Sequence, residues 1–137
     1  MWYLDKSGNG KWDGCAVDAC MGPYGGYDID IPVVGDWIGD GITKIGIYRQ
    51  GQWFLDKNAN GVWDDPVTDI YVDYFGGMPL DKPVVGDWTG DGISKIGIFQ
   101  QGAWYLDKNG NGLWDDCGVD TCIPAFGGYA GDIPITK

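Results

Sequence analysis

The chain has 137 residues, enough for one ordinary domain, and carries a formal charge of −11. Twenty acidic residues against nine cations argue against nucleic acid or an anionic membrane as partner. The absence of His removes Ser-His and Cys-His nucleophilic pairs, the commonest general base and imidazole zinc sites.

All 20 acids are Asp, and 25 residues are Gly. Asp folds back on nearby backbone and disfavours helices, so acidic turns between short strands are expected. No apolar run approaches the roughly 18 residues of a membrane span, so no membrane insertion is expected. The opening Met1-Trp2-Tyr3-Leu4-Asp5 does not read as a signal peptide, and the chain reads as a piece of something longer.

The sequence repeats every 51 residues. Trp2-Tyr3-Leu4-Asp5-Lys6 returns as Trp53-Phe54-Leu55-Asp56-Lys57 and as Trp104-Tyr105-Leu106-Asp107-Lys108. Pro32-Val33-Val34-Gly35-Asp36-Trp37 returns as Pro83-Val84-Val85-Gly86-Asp87-Trp88, and Pro134-Ile135 falls on the same phase. The chain thus holds about 2.7 repeats: a partial unit at 1–30, full units at 31–81 and 82–132, and the start of another at 133–137.

From the N-terminus, the first element after Trp2–Leu4 is the loop Asp5 to Asp13, repeated at Asp56 to Asp64 and Asp107 to Asp115. Oxygen-bearing side chains occupy loop positions 1, 3, 5 and 9: Asp5, Ser7, Asn9 and Asp13; Asp56, Asn58, Asn60 and Asp64; Asp107, Asn109, Asn111 and Asp115. Gly stands at position 6, and Lys11, Val62 or Leu113 at position 7 can add a backbone carbonyl. This is the first part of an EF-hand-type pattern, so Ca2+ is the expected ion. The bidentate Glu of that pattern is missing, which leaves the Asp at position 9 to close the shell.

Cys15 and Cys20 follow, with Cys117 and Cys122 at the matching phase. Four cysteines allow three pairings. The middle repeat has Pro66 and Tyr71 instead, so both cysteines are lost together, which favours the local disulfides Cys15–Cys20 and Cys117–Cys122 and an oxidising setting.

The remaining elements of a unit are strands: Ile31 to Asp36, Lys44 to Tyr48, Gln52 to Asp56 and Asp69 to Phe75. The expected fold is all-β, with repeated four-stranded antiparallel β-meander blades in a β-propeller-like arrangement. The tryptophans read as core between blades, with a sugar-stacking platform as the alternative.

Phe75-Gly76-Gly77, Pro83 to Gly92 and Lys95-Ile96-Gly97-Ile98-Phe99 resemble the FG-GAP/VCBS-type repeats of extracellular proteins, related to the integrin α-subunit propeller. The resemblance covers essentially the whole chain. It implies calcium in blade loops and an adhesive or scaffold role, and propellers of that kind carry more blades than this chain has. In that family the usual calcium loop corresponds to Asp36–Lys44 and Asp87–Lys95 here, with a carboxylate at position 9. This chain has Lys44 and Lys95 there, so each lysine is expected to act as a built-in cation between two aspartates.

These features imply a non-enzymatic extracellular or cell-surface structural protein, stabilised by calcium and disulfides. It is expected to assemble as a homo-oligomer or polymer, ring or filament. The alternatives are a carbohydrate-binding, lectin-like module engaging a cell-surface glycan or protein, and a fragment of a longer single-chain propeller.

Overall fold

Alternation of large apolar residues with small or polar ones, broken by Gly and Asp every few residues, produces short strands, with no helix among the described residues. In a computed structural model, which describes residues 1–129 and 131–136, the chain is all-β. Strands β1 (Trp2–Leu4) and β2 (Ala19–Met21) form a two-stranded sheet. Strands β3 (Ile31–Gly35), β4 (Lys44–Arg49), β5 (Gln52–Leu55) and β6 (Ile70–Val72) form a four-stranded antiparallel meander. Strands β7 (Lys82–Gly86), β8 (Lys95–Gln100), β9 (Ala103–Leu106) and β10 (Thr121–Ile123) repeat it. Register repeats too: Val33 pairs with Gly46, and Val84 with Gly97. Residues 133–136 form no strand but rest on β7, where Thr136 Oγ1 donates to the Val85 carbonyl. Lys82 Nζ donates to the carbonyl of Asp132.

The β4–β5 hairpin turns through Gln50 and Gly51, both at positive φ (47° and 96°), which matches the right-handed strand twist. Gly51 has a second reason to be Gly: a Cβ there would sit 2.7 Å from the Gly76 carbonyl oxygen. That close approach lets Phe75 N donate to Gly51 O at 2.9 Å. Gln101, Gly102 and Phe126 repeat the arrangement.

Each sheet has two apolar faces, as period-2 alternation requires when both sides are covered. On one face of the first full sheet, Tyr48, Trp53, Leu55 and Phe75 pack with Ile96 and Ile98 of the next unit. On the other, Ile45 and Ile47 pack with Tyr24 and with partly buried Trp2, Leu4 and Met21 of the N-terminal sheet. The sheets therefore stack in series. Ser94 of one unit ties to Asp36 of the previous one in both directions: Ser94 N donates to Asp36 O at 2.7 Å, and Asp36 N donates to Ser94 Oγ at 2.9 Å.

Two expectations need correction. The fourth strand is shorter than Asp69–Phe75: Asp69 is buried and spends its carboxylate on loop N–H groups, and Tyr74 turns to φ 61°, ending the pairing. Nor are all tryptophans core. Trp37 and Trp53 are buried, Trp2, Trp63, Trp88 and Trp104 half-buried, and Trp12 and Trp114 exposed. The exposed pair sits at loop position 8, where Trp12 packs edge-on against Tyr3 and Trp114 against Phe75 and Tyr105.

One bond recurs in all three copies. The indole N–H of Trp2, Trp53 and Trp104 donates to the carbonyl of Tyr24, Phe75 and Phe126 at 3.2, 3.0 and 3.0 Å. Trp53 is fully buried and Trp104 is not. Trp53→Phe strands a buried carbonyl and is expected to cost about 1–3 kcal/mol in urea denaturation. Trp104→Phe, where water can replace the donor, is expected to cost clearly less.

Candidate metal centres and the charged loops

Each full unit carries two acidic loops, and they manage charge differently. In the loop after β3, the Asp36 carboxylate accepts four backbone N–H bonds: Ile38, Gly39 and Asp40 at 3.3, 2.8 and 3.2 Å, and Gly41 at 2.7 Å. Lys44, whose side chain is 1% exposed, reaches Asp40 at 2.5 Å and Asp36 at 3.6 Å and also donates to the Ile42 carbonyl. Lys95 does the same with Asp91 at 2.7 Å and Asp87 at 3.8 Å, with a further bond to Thr89 Oγ1. Both ammonium groups point into their loops, as the sequence led us to expect.

The pKa directions follow. Partial desolvation pushes Asp36 up, but its backbone donors prevail and hold it down at about 2. Asp91 is depressed further, chiefly by the Lys95 ammonium, and Asp87 chiefly by the Gly92 N–H.

The other loop, before the disulfide or its substitute, has no cation built in. Asp5 Oδ1 accepts from Ser7 Oγ and Gly8 N, and Oδ2 from Gly10 N. Asp107 repeats this with Gly110 and Gly112. The middle loop departs from the pattern. Asp56 Oδ2 accepts from Gly61 N at 2.8 Å, but position 4 is Ala59, and Oδ1 has no partner although Asp56 is 1% exposed. A buried carboxylate oxygen left unpaired is costly.

Position 9 is tied to the asparagines. Asp13 Oδ2 accepts from Asn9 Nδ2. Asp64 Oδ2 accepts from both Asn58 and Asn60 at 2.8 Å, and Asp115 Oδ2 from Asn109 and Asn111. The amide oxygens of Asn9, Asn60 and Asn111 accept from the N–H of Lys11, Val62 and Leu113. All the predicted side chains are therefore drawn into their loops.

Sequence reasoning missed a further carboxylate in each copy. Asp18, Asp69 and Asp120 are buried and clamp the loop ends. Asp69 accepts from Lys57 N at 2.9 Å and Asp64 N at 3.1 Å, and Asp120 from Lys108 N and Asp115 N. Asp18 accepts from Ser7 N and Asp13 N. Their recurrence every 51 residues was the available signal. Because these carboxylates face backbone donors, no group of three acidic or Cys side chains forms a ready metal cage among the described residues.

Burial separates the copies. Asp5 is exposed and its pKa is lowered, with the Gly10 N–H as the largest cause. Asp107 is raised by burial, with Asp120 adding repulsion. The cover comes from the preceding unit: a Cβ on Gly61 would meet Met21 at 2.7 Å, and one on Gly112 would meet Val72 at 2.9 Å. Buried Tyr24 also lies over the middle loop; burial raises its pKa first, then the charges of Asp69, Asp56 and Asp64. Its hydroxyl, like Asp56 Oδ1, has no partner. The residue types of this loop fit a hard cation, since Asp56, Asp64, Asn58 and Asn60 all carry side-chain oxygens and the unpaired Oδ1 supplies a free lone pair. In this structure the asparagines turn their amide nitrogens to Asp64 and engage their oxygens with backbone N–H groups.

Both expected disulfides form, Cys15–Cys20 and Cys117–Cys122, each with Cα atoms 5.3 Å apart. They brace the turn that delivers Asp18 or Asp120, and place the chain in an oxidising compartment. On the chain-entropy account each contributes about 2 kcal/mol. In the middle copy Asp65 replaces the bond, with Oδ1 accepting from Val67 N and Thr68 N at 2.8 Å each. Among the described residues no helix is long and apolar enough to cross a membrane.

No family model, curated protein or solved structure matches the chain.

The depressed aspartates stabilise the fold fully above their unfolded pKa of about 3.9. That contribution is lost as pH falls through the folded values, about 2 for Asp36. Acid unfolding is therefore expected to steepen below pH 4. Lys95→Ala is expected to lower stability most at neutral pH, with the deficit shrinking as acid neutralises Asp87 and Asp91; thermal melts from pH 7 to 2 check both.

Proposed function

We propose that this chain is a non-enzymatic, extracellular structural repeat of the FG-GAP/VCBS kind, stiffened by calcium at the junctions between units and by its disulfides. One observation carries the reading. Asp56 is buried under the preceding unit with an unpaired oxygen, in a loop whose other donors are oxygen atoms. Bound there, a calcium ion would supply the missing positive charge and take over from the asparagine amides as partner of Asp64. The residues that would hold it are Asp56, Asn58, Asn60, Asp64 and the Val62 carbonyl, with Asp5, Ser7, Asn9, Lys11 and Asp13, and Asp107, Asn109, Asn111, Leu113 and Asp115, as the flanking sets.

Self-association is part of the same reading. Phe75 is 2% exposed between units, whereas its counterpart Phe126 is 72% exposed beside Ile133 and Ile135. A face built to be covered by another unit is left open on the last sheet, and the same residues of a further unit would cover it. Trp12, exposed beside Tyr3 in the first loop, is the counterpart of Trp63, which packs on Tyr24. Its exposure is therefore that of an uncovered stack end and does not favour a glycan platform.

At calcium one hundred times its dissociation constant, each site would add about 2.7 kcal/mol to the folded state. Chelator is thus expected to lower the melting temperature sharply. Asp56→Asn is expected to stabilise the chelated protein, by removing a buried unpaired charge, while reducing its response to calcium. An identical melt with and without chelator, with no metal by elemental analysis, removes calcium from the reading. Light scattering at micromolar concentration in calcium is expected to show species larger than the monomer, and a well-folded, monodisperse monomer overturns self-association.

A further inference from the structure

The two junctions between units are built from equivalent residues, but only one of them is filled. At the first junction, Arg49 at the end of β4 folds across the seam. Its guanidinium carbon lies 4.2 Å from the Tyr27 ring centroid and 5.1 Å from that of Phe54. Its Nε and Nη2 donate to the two oxygens of Asp30 at 2.6 and 3.1 Å. Asp30 is held for this task, since its Oδ2 also accepts from Gly26 N and Tyr27 N.

At the second junction the sequence 51 residues on keeps the receptor and loses the plug. Asp81 stands where Asp30 does, and its Oδ2 accepts from Gly77 N and Met78 N at 2.9 Å each. Arg49 has become Gln100, which reaches only Asp81 Oδ1, at 2.8 Å. The flanking groups are Met78 and Tyr105 in place of Tyr27 and Phe54. Between them a cleft of about 290 Å³ lies open, floored by Phe75 and Ile98 and walled by Trp114. No described cation pairs with Asp81.

We propose that this cleft is a binding site for the arginine side chain of a protein partner. The first junction demonstrates the chemistry: a planar cation between an aromatic face and a second apolar wall, with a pre-oriented carboxylate at its end. A guanidinium is weakly hydrated and stacks on rings, so it enters such a slot more readily than an ammonium does. Met78 supplies an adaptable wall in place of a second ring. The overall charge of −11 favours approach of a basic segment. None of its groups is a candidate metal donor, although Trp114 stands within the third acidic loop, between Leu113 and Asp115.

The probe is N-acetyl-arginine amide, titrated into the intact protein and followed by amide and indole NMR shifts. Wild type is expected to show one saturable site, with shifts at Met78, Asp81 and Trp114. The lysine analogue is expected to bind about tenfold or more weakly, and the uncharged citrulline analogue not at all. Gln100→Arg is expected to fill the cleft as Arg49 fills its own, abolishing binding and raising the melting temperature. Arg49→Gln is expected to open the first junction and give a second equivalent of binding. Shifts absent from Met78 and Asp81, spread instead over the loops Asp5–Asp13 and Asp56–Asp64, or unchanged by Gln100→Arg overturn the proposal. So does equal affinity for the citrulline analogue. Because each variant changes the stoichiometry in the opposite sense, failure of one to fold leaves the other as the test.

Discussion

The structure depends on an indole N–H that reaches 22 residues forward along the chain. Trp53 leaves the third strand of its sheet and bonds the carbonyl of Phe75, beyond the end of the fourth. That contact closes the meander and brings Phe75 to the face against which the next unit packs. A strand of three residues cannot hold position through its ladder alone. The buried ring and its one directed bond supply what the short ladder lacks, and the same device fixes the spacing at which the next sheet can stack.

Charge is the second constraint. A chain with this much Asp must place carboxylates at its turns, because Asp is what makes the turns. The loops after β3 and β7 enclose a lysine, so each carries a counter-charge from within its own unit. The loops after β5 and β9 instead spend carboxylates on backbone N–H groups and are then covered by the preceding unit. Asp36 and Asp107 show the two outcomes, one pKa depressed and one raised, from similar sequence patterns. Burial, supplied by a neighbour, makes the difference.

Much of this was legible in the sequence, because a strict period converts one local reading into several. The strands expected at Lys44–Tyr48 and Gln52–Asp56, found at Lys44–Arg49 and Gln52–Leu55, the placement of the two lysines and the disulfide pairs all followed from residue type and phase. What was not legible is what depends on the partner across a seam. Asp69 looks like the start of a strand until its carboxylate is seen bonding Lys57 and Asp64. Trp114 looks like core, but the preceding unit covers it only in part. Asp56 and Asp107 carry the same loop motif, yet only Asp56 has an unpaired oxygen, the visible difference being Ala59 in place of a glycine. The Arg49 and Gln100 positions differ by one residue type, and only the stacked geometry turns that into a filled seam and an open one.

The placement of the disulfides has a mechanical consequence. Each spans only five residues, so it hides little chain. At about 3.5 Å per extended residue, an intact bond shortens the stretched length of its unit by less than 20 Å. Neither bond crosses a seam between sheets. Under tension the bonds would therefore leave the units free to separate one from another, and would resist only the opening of the turn that holds Asp18 or Asp120. Load would pass between sheets through side-on contacts such as Ser94 with Asp36, which part more readily than a covalent link and can re-form when the load is released.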